Sequence, residues 1–250
     1  QKIDKQGALE LREILRIGSQ VAYGLSAAHA QGLIHRDVKP ANILLENGVQ
    51  RVKITDFGLA RAADDGSCTQ TGQIAGTPQY MSPEQAAGET IDHRSDLFSL
   101  GSVLYTMCTG RSPFRAESTV AVLRRVCDDV PRPIREVNPD IPEPLVAIID
   151  RLLAKNPDDR FQTAEEASNL LLRCLAHLQD PTSADVGWVS NPSRVAGFGQ
   201  RCGALSLRCG ALSRPHHVAD RRSPLRARRP TVGVLGGVGR PAPNRGVVFI

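Results

Sequence analysis

The chain has 250 residues, of which 41% are hydrophobic, so it carries enough apolar surface to form a folded core. It has no run of about eighteen apolar residues, which argues against a membrane-spanning helix in this sequence. The six cysteines form no C-x-x-C pair and nothing resembles a secretory signal, so neither a zinc site nor a disulfide scaffold is expected. We therefore expect free thiols and a cytoplasmic location.

The charge is distributed unevenly along the chain. Residues 1–180 hold 20 basic and 24 acidic residues, whereas residues 181–250 hold 11 arginines and only two acidic residues. The second stretch is rich in Gly, Pro and Ser and contains a tandem duplication, 201–207 and 208–214. We expect one domain over residues 1–179 and a basic tail over residues 180–250 that is disordered or translated in a shifted frame. The alternative is an arm for nucleic acid or an acidic partner, and nucleic acid is the less expected because few aromatic residues accompany the arginines.

The beginning of the chain predicts one long helix, because apolar residues recur at steps of three and four until Gly32 ends the pattern. This apolar stripe consists of Leu11, Ile14, Ile17, Val21, Leu25 and Ala28. Three short apolar runs between turn residues then predict small strands. These runs are Leu33–Ile34, Ile43–Leu45 and Val52–Ile54.

The second half of the chain predicts further helices. A helix is expected around residues 94–101, another over 119–127, and a loop over the Pro-rich stretch 131–144. Thr163 and Glu166 predict a capping box at the start of the last helix.

Three motifs between residues 35 and 84 carry the chemistry. Residues 35–42 read H-R-D-V-K-P-A-N, residues 56–58 read D-F-G, and residues 82–84 read S-P-E. Within them, Asp37 can accept a hydroxyl proton and Lys39 offers a positive charge to a phosphate. Asn42 and Asp56 present the hard oxygen ligands that Mg²⁺ prefers. Together these residues offer a proton acceptor, a positive charge and oxygen ligands for a divalent cation.

In these motifs the sequence resembles the protein kinases, and in detail the eukaryote-like bacterial Ser/Thr kinases. The resemblance implies an α+β, protein-kinase-like fold, with a mainly helical C-terminal lobe and short β-hairpins around the catalytic loop. It implies ATP and Mg²⁺ as cofactors, and protein substrates with Ser or Thr acceptors. By resemblance Asp37 is the catalytic base, Lys39 contacts the γ-phosphate, and Asn42 and Asp56 hold magnesium.

The resemblance also implies four supporting residues. His35 packs under the D-F-G backbone, and Asp96 binds the backbone of the catalytic loop. Glu84 and Arg160 form a buried ion pair, which is costly to break.

Regulation is expected between Asp56 and Glu84. A phosphate on Thr69 or Thr71 would pair with Arg36 and order this segment. The alternative is that these hydroxyls are ordinary polar groups of a loop. By resemblance Thr77 bridges the catalytic Asp and Lys beside the acceptor, which favours Ser or Thr as the acceptor.

Only 34 residues precede His35, and they contain neither a Gly-rich loop nor the Lys and Glu that protein kinases place upstream. We therefore expect the chain to be a fragment whose smaller lobe lies upstream, and to be weakly active in isolation. Two alternatives remain open: a pseudokinase-type binding module that transfers nothing, and a gene remnant.

Overall fold

The computed structural model describes residues 2–46, 51–57, 77–180 and 247–250. Within these ranges the helices are α1 (Lys2–Gln6), α2 (Leu11–His29), α3 (Pro83–Ala87), α4 (Arg94–Thr109), α5 (Thr119–Asp128), α6 (Ile134–Val137), α7 (Glu143–Leu152) and α8 (Ala164–Gln179). The strands are β1 (Ile43–Glu46), β2 (Arg51–Ile54) and β3 (Val247–Phe249). In the described part of the chain, no helix is both long and apolar enough to cross a membrane.

Helix α4 forms the centre of the fold. Every residue from Ser95 to Cys108 is buried, because α2, α6 and α7 pack around this helix. Helix α2 is amphipathic and packs its apolar stripe against both α4 and α8. The predicted α+β arrangement, mainly helical with a small antiparallel sheet, is confirmed.

The predicted long N-terminal helix is present over its apolar stripe as α2, but the residues before Leu11 form the separate short helix α1. Gly7 has a φ of +76°, which ends α1, and α2 begins only at Leu11. Between the helices, the Leu9 amide donates to the carbonyl oxygen of Met107 at the end of α4 (2.9 Å). The buried Leu9 side chain and this hydrogen bond favour a break over a longer helix.

Strands β1 and β2 form an antiparallel hairpin in which Ile43 pairs with Ile54 and Glu46 with Arg51. The predicted strand at Leu33–Ile34 is absent, because the Leu33 amide donates instead to Ala28 at the end of α2 (3.0 Å). The hairpin therefore begins directly after residues 35–42, which are called the catalytic loop from here on.

The last four residues add a strand to this hairpin. Strand β3 pairs antiparallel with β1, and the Ile250 amide donates to the Ile43 carbonyl oxygen (3.2 Å). The Ile250 side chain is fully buried. This strand has no local signal in the sequence, since its partner lies about 200 residues away. Residues 181–246 of the expected tail lie outside the described residues.

Two local predictions need correction. The Pro-rich stretch 131–144 contains the short helix α6. At α8 the Thr163 hydroxyl accepts from the Glu166 amide (3.2 Å), but the Glu166 carboxylate accepts from the Gln162 amide (3.4 Å). The predicted reciprocal box is therefore half formed.

Lys155 gives a pH-dependent prediction. Its Nζ donates to the Val126 carbonyl oxygen (2.6 Å) and lies 4.1 Å from the Phe114 ring centroid, and burial lowers its pKa to about 8. Between about pH 8 and its ordinary pKa of 10.5 the unfolded chain binds this proton and the folded chain does not, so unfolding free energy rises with pH in that window. Because Lys155 is only partly buried, solvent screens its charge, and we expect the unfolding free energy to gain only about 1 kcal/mol between pH 8 and 10 relative to Lys155→Met.

Urea unfolding of both proteins at the two pH values measures this difference. The matched control is Lys5→Met, since Lys5 is exposed on α1. Equal pH profiles for the parent and Lys155→Met would contradict the prediction.

Candidate active site

The catalytic loop is attached to the core through Asp96, in the first turn of α4. The fully buried Asp96 carboxylate accepts hydrogen bonds from the amides of His35 (2.9 Å) and Arg36 (2.8 Å). Arg36 has a φ of +66°, a costly conformation for a residue other than Gly, and these bonds hold it. A third donor is His29, whose Nε2 lies 2.8 Å from Asp96 Oδ2. The predicted contact between Asp96 and the loop backbone is present, and sequence reasoning missed His29.

Asp37, Lys39 and Asn42 meet at the surface of this loop. Lys39 Nζ lies 2.7 Å from Asp37 Oδ2, and Asn42 Nδ2 donates to the same oxygen (3.1 Å) and to the Asp37 backbone carbonyl (2.8 Å). A 3-10 turn, Pro40–Asn42, brings the Asn back towards the Asp. The Asp37 side chain keeps 38% of its surface exposed, so a substrate hydroxyl can reach it.

His35 connects the loop to the segment that carries Asp56. Its ring is fully buried, with Nε2 donating to the Thr55 carbonyl oxygen (2.8 Å) and Nδ1 accepting from the Asp37 amide (3.2 Å). Since a carbonyl only accepts and an amide only donates, the ring carries its proton on Nε2. The Phe57 ring packs edge-on against it, with 4.5 Å between centroids. His35 therefore connects the loop to the segment after β2 through buried hydrogen bonds.

Asp56 is held close to Asn42 by Thr55. The Thr55 amide donates to the Asn42 carbonyl oxygen (2.9 Å), and the Thr55 hydroxyl lies 3.3 Å from both that oxygen and Asp56 Oδ2. Asp56, two residues after the end of β2, has a φ of +61° and is exposed. Sequence reasoning missed Thr55, because this residue belongs to none of the three motifs.

The donor set fits magnesium bound together with phosphate. Within the described ranges, no group of three or more His, Cys, Asp or Glu side chains could hold a metal ion. The site offers the Asp56 carboxylate and Asn42 Oδ1. Both side-chain hydrogen bonds of Asn42 use Nδ2, so its Oδ1 accepts none from the described residues. Mg²⁺ accepts such sparse protein ligation when phosphate oxygens and water complete its shell.

The short helix α3 contacts the catalytic loop through its N-terminal cap. Ser82 and Gln85 form a capping box at the start of α3, and Gln85 Nε2 donates to the Arg36 carbonyl oxygen (2.8 Å). The sequence analysis used Ser82 only as part of a motif, although Ser-Pro-x-Gln carries a recognisable cap signature. The contact with Arg36 has no sequence signal.

Glu84 and Arg160 form the predicted ion pair, and both are buried. The two guanidinium Nη atoms donate to the two Glu84 oxygens at 2.7 and 2.8 Å. The remaining N–H groups donate to the carbonyl oxygens of Ala154, Arg94 and Lys155. Burial raises the Glu84 pKa, but hydrogen bonds from Arg160 and Ser95 outweigh it and hold the pKa below its ordinary value.

The predicted regulatory residues are only partly visible. Thr69 and Thr71 lie outside the described residues. Thr77 begins the 3-10 turn Pro78–Tyr80, and its hydroxyl makes no hydrogen bond to Asp37 or Lys39 in the described part of the chain. The expected bridge at Thr77 is therefore not formed in this structure.

A helical lobe with this loop, an Asn and an Asp side chain beside it and a buried Glu–Arg pair is the arrangement of a protein kinase catalytic lobe. A family model described as the protein kinase domain matches residues 1–171, and the chain belongs to this family.

Curated relatives agree. The chain is 46% identical over 173 residues to the serine/threonine-protein kinase PknB of Mycolicibacterium smegmatis, covering 68% of this chain and 28% of that protein. It is 39% identical over 215 residues to PknB of Mycobacterium tuberculosis, covering 85% and 33%. A probable serine/threonine-protein kinase of Clostridium acetobutylicum is 39% identical over 164 residues, covering 66% and 25%. The predicted similarity to bacterial Ser/Thr kinases is confirmed, and the chain spans a quarter to a third of the length of these relatives.

Proposed function

We propose that this chain is the catalytic lobe of an ATP-dependent kinase that phosphorylates Ser or Thr hydroxyls of protein substrates. The observation that carries the proposal is the accessible Asp37 carboxylate, held by Lys39 at 2.7 Å and by Asn42 at 3.1 Å. The names of the relatives support the choice of Ser and Thr as acceptors.

Each residue has one task in the proposed reaction. When bound, ATP with Mg²⁺ supplies the phosphoryl group and neutralises part of its charge. Asp37 orients the substrate hydroxyl and accepts its proton, while Lys39 places a positive charge beside the transferring group. Asn42 and Asp56 would hold the magnesium. His35, Asp96 and Glu84 act indirectly, because each fixes the backbone or the helix that carries these groups.

Activation is proposed to use the segment between Asp56 and Glu84. A phosphate on Thr69 or Thr71 would pair with Arg36, whose backbone Asp96 and Gln85 hold. Arg36 is adjacent to Asp37, so this pairing would order the substrate side of the site. In the activated kinase Thr77 would bridge Asp37 and Lys39.

The test is transfer of label from the γ-phosphate of ATP with Mg²⁺ to a generic basic protein. Because the chain covers only part of its relatives, we would compare it with a version extended upstream in frame. We expect Asp56→Ala to lower transfer at least 100-fold in the extended version, and hydrolysis of the product to yield phosphoserine and phosphothreonine. Asp140→Ala, at an exposed carboxylate in the loop before α7, is the matched control.

Two outcomes would contradict the proposal. Absence of transfer in the extended version would contradict an enzyme and favour a binding module. Transfer that survives Asp56→Ala would show that Asp56 is not needed to hold magnesium.

A further inference from the structure

A basic pocket lies at the end of α4 remote from the catalytic loop. It is a cavity of about 200 Å³ between the C-terminus of α4, the loop that follows, α5 and the segment before α6. Four arginines line it, Arg111, Arg115, Arg125 and Arg132, and no acidic side chain does among the described residues. The part of the chain up to residue 180 has more acidic than basic residues, so this concentration of positive charge opposes the overall balance.

The walls of the pocket are anchored to the core. Phe114 lies between Arg111 and Arg115 in sequence, is buried, and stacks on Phe98 with 6.0 Å between ring centroids. The hydroxyl of the buried Tyr105 donates to the Arg132 backbone carbonyl oxygen (2.8 Å). The arginine backbones are thus placed by buried groups rather than by a loose loop.

The charges of these arginines are available for a ligand. Arg111 and Arg115 have no side-chain ion pair in the described ranges. Arg125 Nη1 donates to the Arg115 backbone carbonyl oxygen (2.6 Å) and its Nε lies 3.6 Å from Asp129, while Arg132 Nε lies 3.0 Å from Glu136. Both pairs are exposed and four residues apart on the chain, and such pairs contribute only about 0.3–0.5 kcal/mol. A dianion can therefore bind Arg111 and Arg115 directly and compete with the weak ion pairs of Arg125 and Arg132, while Arg125 Nη1 remains bonded to the backbone.

We propose that this arginine pocket binds a phosphoserine or phosphothreonine on a protein segment. Guanidinium groups bind phosphate oxygens bidentately, and a phosphate dianion brings more charge to one point than a carboxylate does. The volume accommodates the side chain that carries the phosphate as well as the phosphate itself. No exposed aromatic ring lines the pocket, so unpaired nucleic-acid bases have no stacking platform.

The position of the pocket relates it to the catalytic site. Thirteen residues of α4 separate Asp96, beneath the catalytic loop, from Thr109 at the pocket, which corresponds to about 20 Å along the helix. An extended peptide spans this distance in about six residues. Given the proposed kinase function, on which this step rests, the pocket would retain substrates that already carry a phosphate. That phosphate would lie about six or more residues from the next acceptor.

The experiment is fluorescence anisotropy of a labelled peptide containing one phosphothreonine, with its unphosphorylated form and a single-stranded oligonucleotide as further probes. It uses the full chain without ATP or Mg²⁺, so its result does not depend on catalysis. We expect the phosphopeptide to bind at least tenfold more tightly than the other two, and Arg111→Gln/Arg115→Gln to remove that preference. Arg124→Gln is the matched control, because this exposed arginine on α5 does not line the pocket.

The outcomes separate the possible ligands. Inorganic phosphate at millimolar concentration should compete with the phosphopeptide for the parent chain. Equal binding of both peptides, equal losses in the Arg124→Gln control, or tighter binding of the oligonucleotide would each overturn the proposal. Circular dichroism of the variants checks that they fold, and Arg111→Lys/Arg115→Lys should retain charge but lose most of the preference, since Lys lacks the guanidinium fork.

Discussion

Replacement of Asp37 by Asn is expected to lower the rate of phosphoryl transfer about 1000-fold while leaving the KM for ATP within about threefold. The amide has nearly the shape of the carboxylate but cannot accept the proton of the substrate hydroxyl. It also removes the negative charge that holds Lys39 Nζ at 2.7 Å. Single-turnover transfer in the upstream-extended version measures the chemical step directly.

Asp140→Asn is the control for Asp37→Asn, because it makes the same chemical change at an exposed site. We expect its rate to stay within twofold of the parent. A rate for Asp37→Asn within tenfold of the parent would show that Asp37 is not the base.

Replacement of Arg160 by Leu is expected to lower the unfolding free energy by about 3–5 kcal/mol, the largest stability change among our predictions. The Glu84 carboxylate would remain buried without its cation, and three backbone carbonyl oxygens would lose their donors. Arg160→Lys should recover little of this stability. An ammonium group has three donors, whereas the acceptors around Arg160 use all five donors of a planar guanidinium group. Urea unfolding at pH 7 measures both variants.

The pH dependence of this effect has a defined sign. The folded-state pKa of Glu84 lies below its ordinary value of 4.5, so its stabilising contribution is present above about pH 4.5 and is lost as pH falls through the folded pKa. The difference in unfolding free energy between the parent and Arg160→Leu should therefore become smaller in acid. Arg124→Leu, which breaks an exposed pair with Asp128, should change stability by less than about 0.5 kcal/mol at either pH. Equal effects of the two replacements would contradict a specific role for the buried pair.

The candidate active site was largely predictable because its parts are close in sequence. Asp37, Lys39 and Asn42 lie within six residues, so a tight loop must place them near one another whatever surrounds it. The apolar stripe of α2 was equally readable, since helical periodicity depends on local spacing alone. The break at Gly7 was missed because Leu9 is held by the end of α4, a partner almost a hundred residues away.

The sequence alone was sufficient to predict the candidate chemical groups of the site, the helical character of the lobe and the family to which the chain belongs. These features depend on residue spacing within short segments. Only the tertiary structure decided which residues support that chemistry. His29 on Asp96 and Gln85 on Arg36 are contacts between distant segments. The arginine pocket arises in the same way, since the end of α4, α5 and the segment before α6 bring together charges that have no common motif in the chain. Such contacts depend on how helices pack, and packing is a property of the whole fold rather than of any one segment.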